Sequence, residues 1–369
     1  MRQPLAGMSP HSGVEKGATG YARGAPHDRK GNAMHLPVVG ITMGDPTGIG
    51  PEIIVKAFSR EDLFQSCRPV VLGDQDVLAK TIRMLGRDVC LEVSEGVPAE
   101  GYHPGKIPLV PLSRLDADAL EFGRPDRACG KAMVTYVEQA VQWLRGGALD
   151  AMTTCPINKQ AMNEAGYPFA GHTELLAHLA DVSSVAMMFV GSRWKVVLVT
   201  IHLALQEVPA LITAERVLSK IKMADEGLRN FFGIDRPRIA VLGLNPHCGE
   251  EGLLGKEDEK EILPAVRVAQ SQGLNVEGPF PADSFFTLSG HRGAFDVVVS
   301  MYHDQGLIPV KMSDAKEAVN FTLGLPFIRT SVAHGTAYDI AGRGLADPTN
   351  LIHATLTAAN LSKLRRKRY

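Results

Sequence analysis

From residue 36 onward, short runs of apolar, β-branched residues alternate with longer stretches whose apolar positions recur at helical spacing. That alternation predicts parallel strands joined by crossover helices, an α/β fold. The runs place strands over 38–43, 69–72, 150–153, 185–190, 195–201, 238–244 and 295–301, and helices over 51–58, 74–85, 128–144, 214–232, 257–272 and 351–367. The helix at Pro51 is well marked, because proline suits the first helical position and Glu52 suits the positive end of the dipole. The last helix ends in Lys363, Arg365, Arg366, Lys367 and Arg368, a run that suits a helix C-terminus and reads as a solvated end.

A chain of 369 residues exceeds what one core usually holds, so two α/β domains are expected. Residues 1–35, with Gly13, Gly17, Gly20, Gly24, Pro26 and Gly31 among polar residues, read as a disordered extension, with Met34 a plausible natural start. The balance of 39 basic against 40 acidic side chains leaves no footprint for nucleic acid or an anionic membrane. No apolar run approaches the roughly 18 residues of a membrane helix, and the N-terminal stretch lacks the apolar centre of a secretory signal. Cys67, Cys90, Cys129, Cys155 and Cys248 are odd in number, are scattered and form no C-x-x-C pair, which fits a reducing cytoplasm.

Three runs end alike: 195–202, 238–247 and 295–303 each put a histidine, His202, His247 or His303, just past a buried strand. Open parallel sheets bind ligands beyond the carboxyl ends of their strands, and three imidazoles at one edge suit zinc or a similar cation. Taken singly, each is equally an ordinary hydrogen-bonded loop histidine. Gly171, His172, Thr173 and Glu174 open a helix whose free N–H groups suit a phosphate or carboxylate, or else Thr173 simply caps it. Lys311, Asn320 and Arg329 follow in steps of nine, a point charge, an amide and a fork that together satisfy a phosphate. Asp304, directly after His303, is a partner for that ring or a base. The turn from Gly44 to Glu52 lacks the lysine and hydroxyl of a P-loop and the spacing of a dinucleotide fingerprint. The segment from His334 to Gly344 carries a lone G-x-G and follows no clear strand.

With these blocks assembled, the chain from residue 36 to its end resembles the 4-hydroxythreonine-4-phosphate dehydrogenase family of pyridoxal phosphate biosynthesis. The likeness runs through 44–52, 154–159, 171–174, 244–249, 278–283, 302–306 and 319–335 in order. It implies two α/β/α domains with a cleft between them, similar to the isocitrate and isopropylmalate dehydrogenase fold: residues 36–155 and 305–369 as the first, with a cofactor segment, and 156–304 as the second, with metal ligands and dimer contacts. It implies metal ligation by His202, His247 and His303, with zinc, cobalt or magnesium as the ion and the histidines favouring the first two. It implies substrate binding by His172, Thr173, Lys311, Asn320 and Arg329, and a homodimer with ligands from two chains at each interfacial site. The further likeness to isopropylmalate and isocitrate dehydrogenases implies that His334, Gly335, Thr336 and Asp339 hold NAD or NADP. The implied reaction oxidises a phosphorylated hydroxy amino acid to a β-keto acid that loses carbon dioxide; Asp304 and Lys159 are the candidate bases. Relatives acting on phosphoerythronate or D-threonate 4-phosphate, and a phosphotransacetylase-like acyltransferase, are the alternatives.

Overall fold

The computed structural model describes residues 36–287 and 293–367, so the expected extension 1–35 and Arg368 lie outside the described residues. Among the described residues, twelve strands form one sheet: β1 (Val38–Thr42), β2 (Arg68–Asp74), β3 (Cys90–Val93), β4 (Lys106–Ser113), β5 (Ala151–Thr154), β6 (Ala186–Val190), β7 (Lys195–Leu198), β8 (Ile239–Leu242), β9 (Val276–Phe280), β10 (Val297–Ser300), β11 (Val319–Leu323) and β12 (Ile328–Ser331). Their order is β3-β4-β2-β1-β5-β12-β11-β6-β7-β10-β8-β9. Every strand expected from periodicity is present, and the stretches expected as two domains meet along the β11–β6 ladder within this sheet.

The expectation of parallel strands holds over most of the sheet and needs correction at its middle. β11 runs antiparallel to both β12 and β6, and β6 antiparallel to β7. The connections dictate two of these pairings, β11 with β12 and β6 with β7: 324–327 and 191–194 are tight turns, whereas a parallel crossover needs about a dozen residues. Gly324 turns the first at φ 88°, where an added Cβ would stand 2.6 Å from the Ser184 carbonyl oxygen. Strands β3, β4, β9, β11 and β12 escape the periodic reading. Proline at 108 and 111 interrupts β4, Gly278-Pro279 interrupts β9, and Asn320 and Arg329 put polar groups into β11 and β12.

The expected helices appear as Gly50–Ala57, Gln75–Leu85, Arg127–Arg145, Ala214–Phe232 and Thr349–Arg366. Asp74 accepts from the Asp76 and Val77 amides, Asp126 from Ala128 and Cys129, and Thr213 from Arg216, each meeting otherwise orphaned N–H groups. The expected 257–272 helix is interrupted: a wide π-type turn, Asp258–Ile262, precedes a regular helix, Leu263–Ser271. Pro264 explains the widening, since its ring crowds the carbonyl four residues back. At the basic C-terminal run, Arg366 pairs with Asp150 at 2.5 Å and Arg365 lies 5.4 Å from the Phe231 ring centre, so these two are docked. Among the described residues no helix is long and apolar enough to cross a membrane.

A large buried cluster and a smaller one around Trp194 and Phe285 pack helices onto the sheet, and one contact is unusually close. Gly130, on Arg127–Arg145, faces the short helix Lys159–Glu164; an added Cβ would lie 2.0 Å from the Ala161 carbonyl oxygen. Backbone cannot yield as a flexible side chain can. Gly130→Ala is expected to cost about 3 kcal/mol, read as a lowered urea midpoint, and to displace the helix that begins at Lys159. An unchanged midpoint would show that the two helices separate freely.

Candidate active site

Alternation along the central strands puts Arg329 and Ser331 of β12, Asn320 and Thr322 of β11, and Met187 and Phe189 of β6 on one face. Register aligns them: Asn320 pairs with both Ser331 and Phe189. A cavity of ≈ 670 Å³ lies over this face, at the place where strand direction reverses. Arg329 is only 2% exposed. Its Nη1 donates to the Thr322 hydroxyl at 2.9 Å and its Nη2 to the Thr154 hydroxyl at 2.6 Å, while Nε has no partner. Burial pulls this guanidinium down to about 9. An ionised group so placed is costly unless something anionic meets it.

Four buried polar atoms around this cavity have no hydrogen-bond partner among the described residues: His172 Nε2, Asn320 Oδ1, Arg329 Nε and His334 Nε2. Such atoms are rare in finished interiors, and here they share one chamber. His172 opens the helix His172–Ala180, so its neighbours' amides add to the polar wall. Burial, then the charge of Arg329, holds the His172 imidazole well below its ordinary value. Thr173 and Lys311 also line the cavity, Lys311 from the helix His303–Asp314. The five expected substrate residues are therefore together. Lys159, Arg216, Lys311 and Arg329 give the lining four basic side chains against one carboxylate, Glu174. Sequence reading missed Thr154, Arg216, Ser331 and Glu174 as site residues. The alternation of β5 and β12 carries the signal for Thr154 and Ser331; Arg216 has no local one.

β7, β10 and β8 are neighbours and mutually parallel, so His202, His303 and His247 do leave the same edge. Leu198 lies opposite Ser300, and the Val199 and Thr200 amides extend the pairing to the Ser300 and Met301 carbonyls. The two chains thus stay zipped almost to their histidines, and the His202 and His303 ring centres stand 5.8 Å apart at the cavity. Burial, then the charges of Lys159 and His303, lowers His202, with Glu174 opposing. His303 is the first residue of its helix, and its Nδ1 lies 2.7 Å from Asp304 Oδ1. Asp304 is itself exposed and outside the lining.

His247 does not join the pair. It is exposed, outside the cavity, and begins a left-handed turn running through Cys248, Gly249, Glu250 and Glu251, with φ between 45° and 82°. Each non-glycine residue there costs roughly 1–2 kcal/mol. Buried Asp258 holds the turn's root, accepting from the Leu244 and Asn245 amides and from Asn245 Nδ2. Among the described residues no three His, Cys, Asp or Glu side chains are grouped to hold a metal ion. One chain thus offers two imidazoles, a donor set that suits a borderline cation but leaves it incomplete.

The segment expected to hold a dinucleotide follows β12 directly, contrary to the expectation that it follows no clear strand. His334 and Gly335 line the cavity; Thr336 and exposed Asp339 do not. Burial lowers the His334 imidazole, whose Nδ1 lies 3.1 Å from the Gly335 carbonyl oxygen. Thr336 packs on the turn after β1: a Cβ on Gly48 would lie 3.2 Å from Thr336 Cβ, and the Ile49 amide donates to the Thr336 carbonyl at 3.1 Å. Tyr338 donates to Asp45 from the same segment, and burial raises that carboxyl above its ordinary value.

A buried guanidinium beside an imidazole pair, over an α/β sheet, gives this cavity the character of an anion site. The chain belongs to the PdxA family of pyridoxal phosphate biosynthetic proteins, which matches residues 65–358. It is 51% identical over 334 residues to 4-hydroxythreonine-4-phosphate dehydrogenase of Desulforapulum autotrophicum, covering 88% of this chain and 97% of that one. It is 43% identical to D-threonate 4-phosphate dehydrogenase of Cupriavidus necator, covering 90% and 99%. The crystal structure of 4-hydroxythreonine-4-phosphate dehydrogenase from Klebsiella pneumoniae superposes with TM-score 0.83 at 38% identity, covering 90% and 100%.

Replacing Arg329 by methionine removes a buried charge that the free chain leaves uncompensated. The variant is expected to be about 1–3 kcal/mol more stable in urea than the native chain, and to lose the thermal stabilisation that inorganic phosphate gives the native chain. Destabilisation together with intact phosphate binding would show that Arg329 is merely structural.

His172 also sets a pH dependence. Below the ordinary value of 6.5, the unfolded chain takes up a proton that the folded imidazole refuses. Stability is therefore lost as pH falls through that point, by about 1.4 kcal/mol per pH unit for one such group. His172→Gln is expected to flatten the decline in urea midpoint between pH 7 and pH 5. An identical decline in the variant would show that His172 protonates freely in the fold.

Proposed function

We propose that this chain oxidises 4-phosphooxy-L-threonine to 2-amino-3-oxo-4-phosphooxybutanoate with NAD or NADP, the product then decarboxylating to 3-amino-2-oxopropyl phosphate. The convergence of partnerless buried polar atoms with Arg329 in one cavity supports this reading most strongly. A phosphate is the group that answers a fork, an amide, a lysine and a helix N-terminus together. Arg329, Asn320, Lys311, His172 and Thr173 hold it and so fix which hydrogen on C3 faces the cofactor.

His202 and His303 are the chain's own ligands for a divalent cation, with Asp304 fixing the His303 ring through Nδ1. Such a cation, when bound, lowers the pKa of the C3 hydroxyl and stabilises the developing oxyanion. His334 and Gly335, on the cavity wall, would hold the nicotinamide cofactor, which would supply the hydride acceptor. Lys159 lines the same cavity and is the candidate base for the hydroxyl proton, which it takes in its neutral form. Asp304 is occupied with His303 and serves as its positioning partner.

Two copies complete the site. On the helix His303–Asp314, Ile308 (58% exposed) and Met312 (83%) lie one turn apart, and Leu205 (69%) projects from the segment after His202. Pairing of copies across these residues is the reading that would supply a third imidazole, His247 of the second copy, to His202 and His303. Proteins expose such apolar groups together chiefly where something covers them.

The test is NADH or NADPH formation with a panel of four-carbon phosphorylated acids, with and without a chelator. Turnover of 4-phosphooxy-L-threonine that ends on chelation is expected; preferred turnover of D-threonate 4-phosphate, the substrate in the Cupriavidus relative's name, would move the chain to that reaction. Mixing His202→Ala with His247→Ala, each inactive, is expected to restore activity towards roughly one quarter of native, because a two-fold dimer of the two variants holds one intact site. No recovery despite subunit exchange would place all three histidines in one chain.

A further inference from the structure

Glu52 is 1% exposed, lies on the first turn of Gly50–Ala57, and plays no part in the cavity. Its Oε1 accepts from the Ala346 amide at 2.8 Å and from Lys56 Nζ at 2.9 Å, and its Oε2 accepts from the Gly344 amide at 3.3 Å. Lys56 Nζ in turn donates to the Gly344 carbonyl at 2.8 Å and the Ala346 carbonyl at 2.6 Å. One acid and one base thus read both the N–H and the C=O of the same two residues. Nothing in the anion chemistry requires this.

The clasp is the last of three ties between the two segments. The Ile49 amide holds Thr336, Asp45 holds Tyr338, and Glu52 with Lys56 holds 344 and 346. Upstream, the same segment supplies His334 and Gly335 to the cavity. Downstream, Asp347 is fixed by Lys316 at 2.9 Å and by the Thr349 amide and hydroxyl. Gly342 and Gly344 both adopt φ 72°, a shape that exposed loop backbone abandons readily without ties.

We infer that Glu52 and Lys56 are positioning residues for the dinucleotide: they hold 336–346 in the one conformation that binds it, while leaving the phosphate chamber on β11 and β12 untouched. This rests on the reading of His334 to Gly344 as the cofactor segment. Pre-ordering spares the cofactor the entropy of fixing a loop, so a loosened clasp weakens cofactor binding without slowing the bound complex.

The experiment compares wild type, Glu52→Gln, Lys56→Met and Lys56→Arg by NADH and NADPH titration, by the phosphate-induced thermal shift and by steady-state kinetics. Glu52→Gln and Lys56→Met are expected to raise the cofactor Kd and KM at least ten-fold, with kcat at saturating cofactor and the phosphate shift within two-fold of wild type. Lys56→Arg, still a cationic donor, restores most of the affinity. Folded variants with unchanged cofactor Kd overturn the inference, as does parallel loss of phosphate binding, which marks general loosening. Failure of the wild type to bind either dinucleotide sinks the cofactor reading itself, and the clasp's purpose with it.

Discussion

The structure turns on a cation that it cannot satisfy alone. Arg329 sits inside the sheet with two hydroxyls for company and no carboxylate, and the fold accepts that cost because β11 and β12 put the charge under a cavity. Only a short antiparallel connection brings a second polar strand beside β12, so that Asn320, Thr322 and Arg329 share a face. The reversal of strand direction is thus the means by which a largely parallel sheet acquires a polar floor in its middle. Helix N-termini and rim histidines then finish a chamber whose chemistry the floor has already set.

The parts of the fold legible in the sequence are those where pattern and packing agree. β1, β8 and β10 are buried along their whole length and read as nearly continuous apolar runs, and 214–232 is bounded as expected because Thr213 and Gly233 mark its ends. β11 and β12 were opaque for the reason that they matter: Asn320 and Arg329 break the apolar pattern in order to face a ligand. The same residues were nevertheless legible as chemistry, since a lysine, an amide and a guanidinium in apolar surroundings need an anion. Topology was the missing link, because no local signal tells that β12 inserts between β5 and β11.

The histidines teach a narrower lesson. Three strand-end imidazoles were visible as a recurrence, and the three strands are indeed adjacent. Adjacency is not convergence. Pairing continues past β7 and β10 and carries two rings together, whereas the left-handed turn after β8, rooted on Asp258, takes the third away. Turn conformation, which depends on a buried carboxylate more than ten residues downstream, lies beyond what spacing along a chain records.

Strand order also dictates when the molecule becomes whole. β5 is complete by residue 154, yet its outer neighbour β12 begins only at residue 328. As the chain emerges from the ribosome, the early half-sheet presents an unpaired β5 edge throughout the synthesis of more than a hundred intervening residues, and such edges invite pairing with other chains. The late arrival of β12 closes that edge and delivers Arg329 in the same event, so a chain released before residue 331 lacks both its anion chamber and the strand that joins its halves.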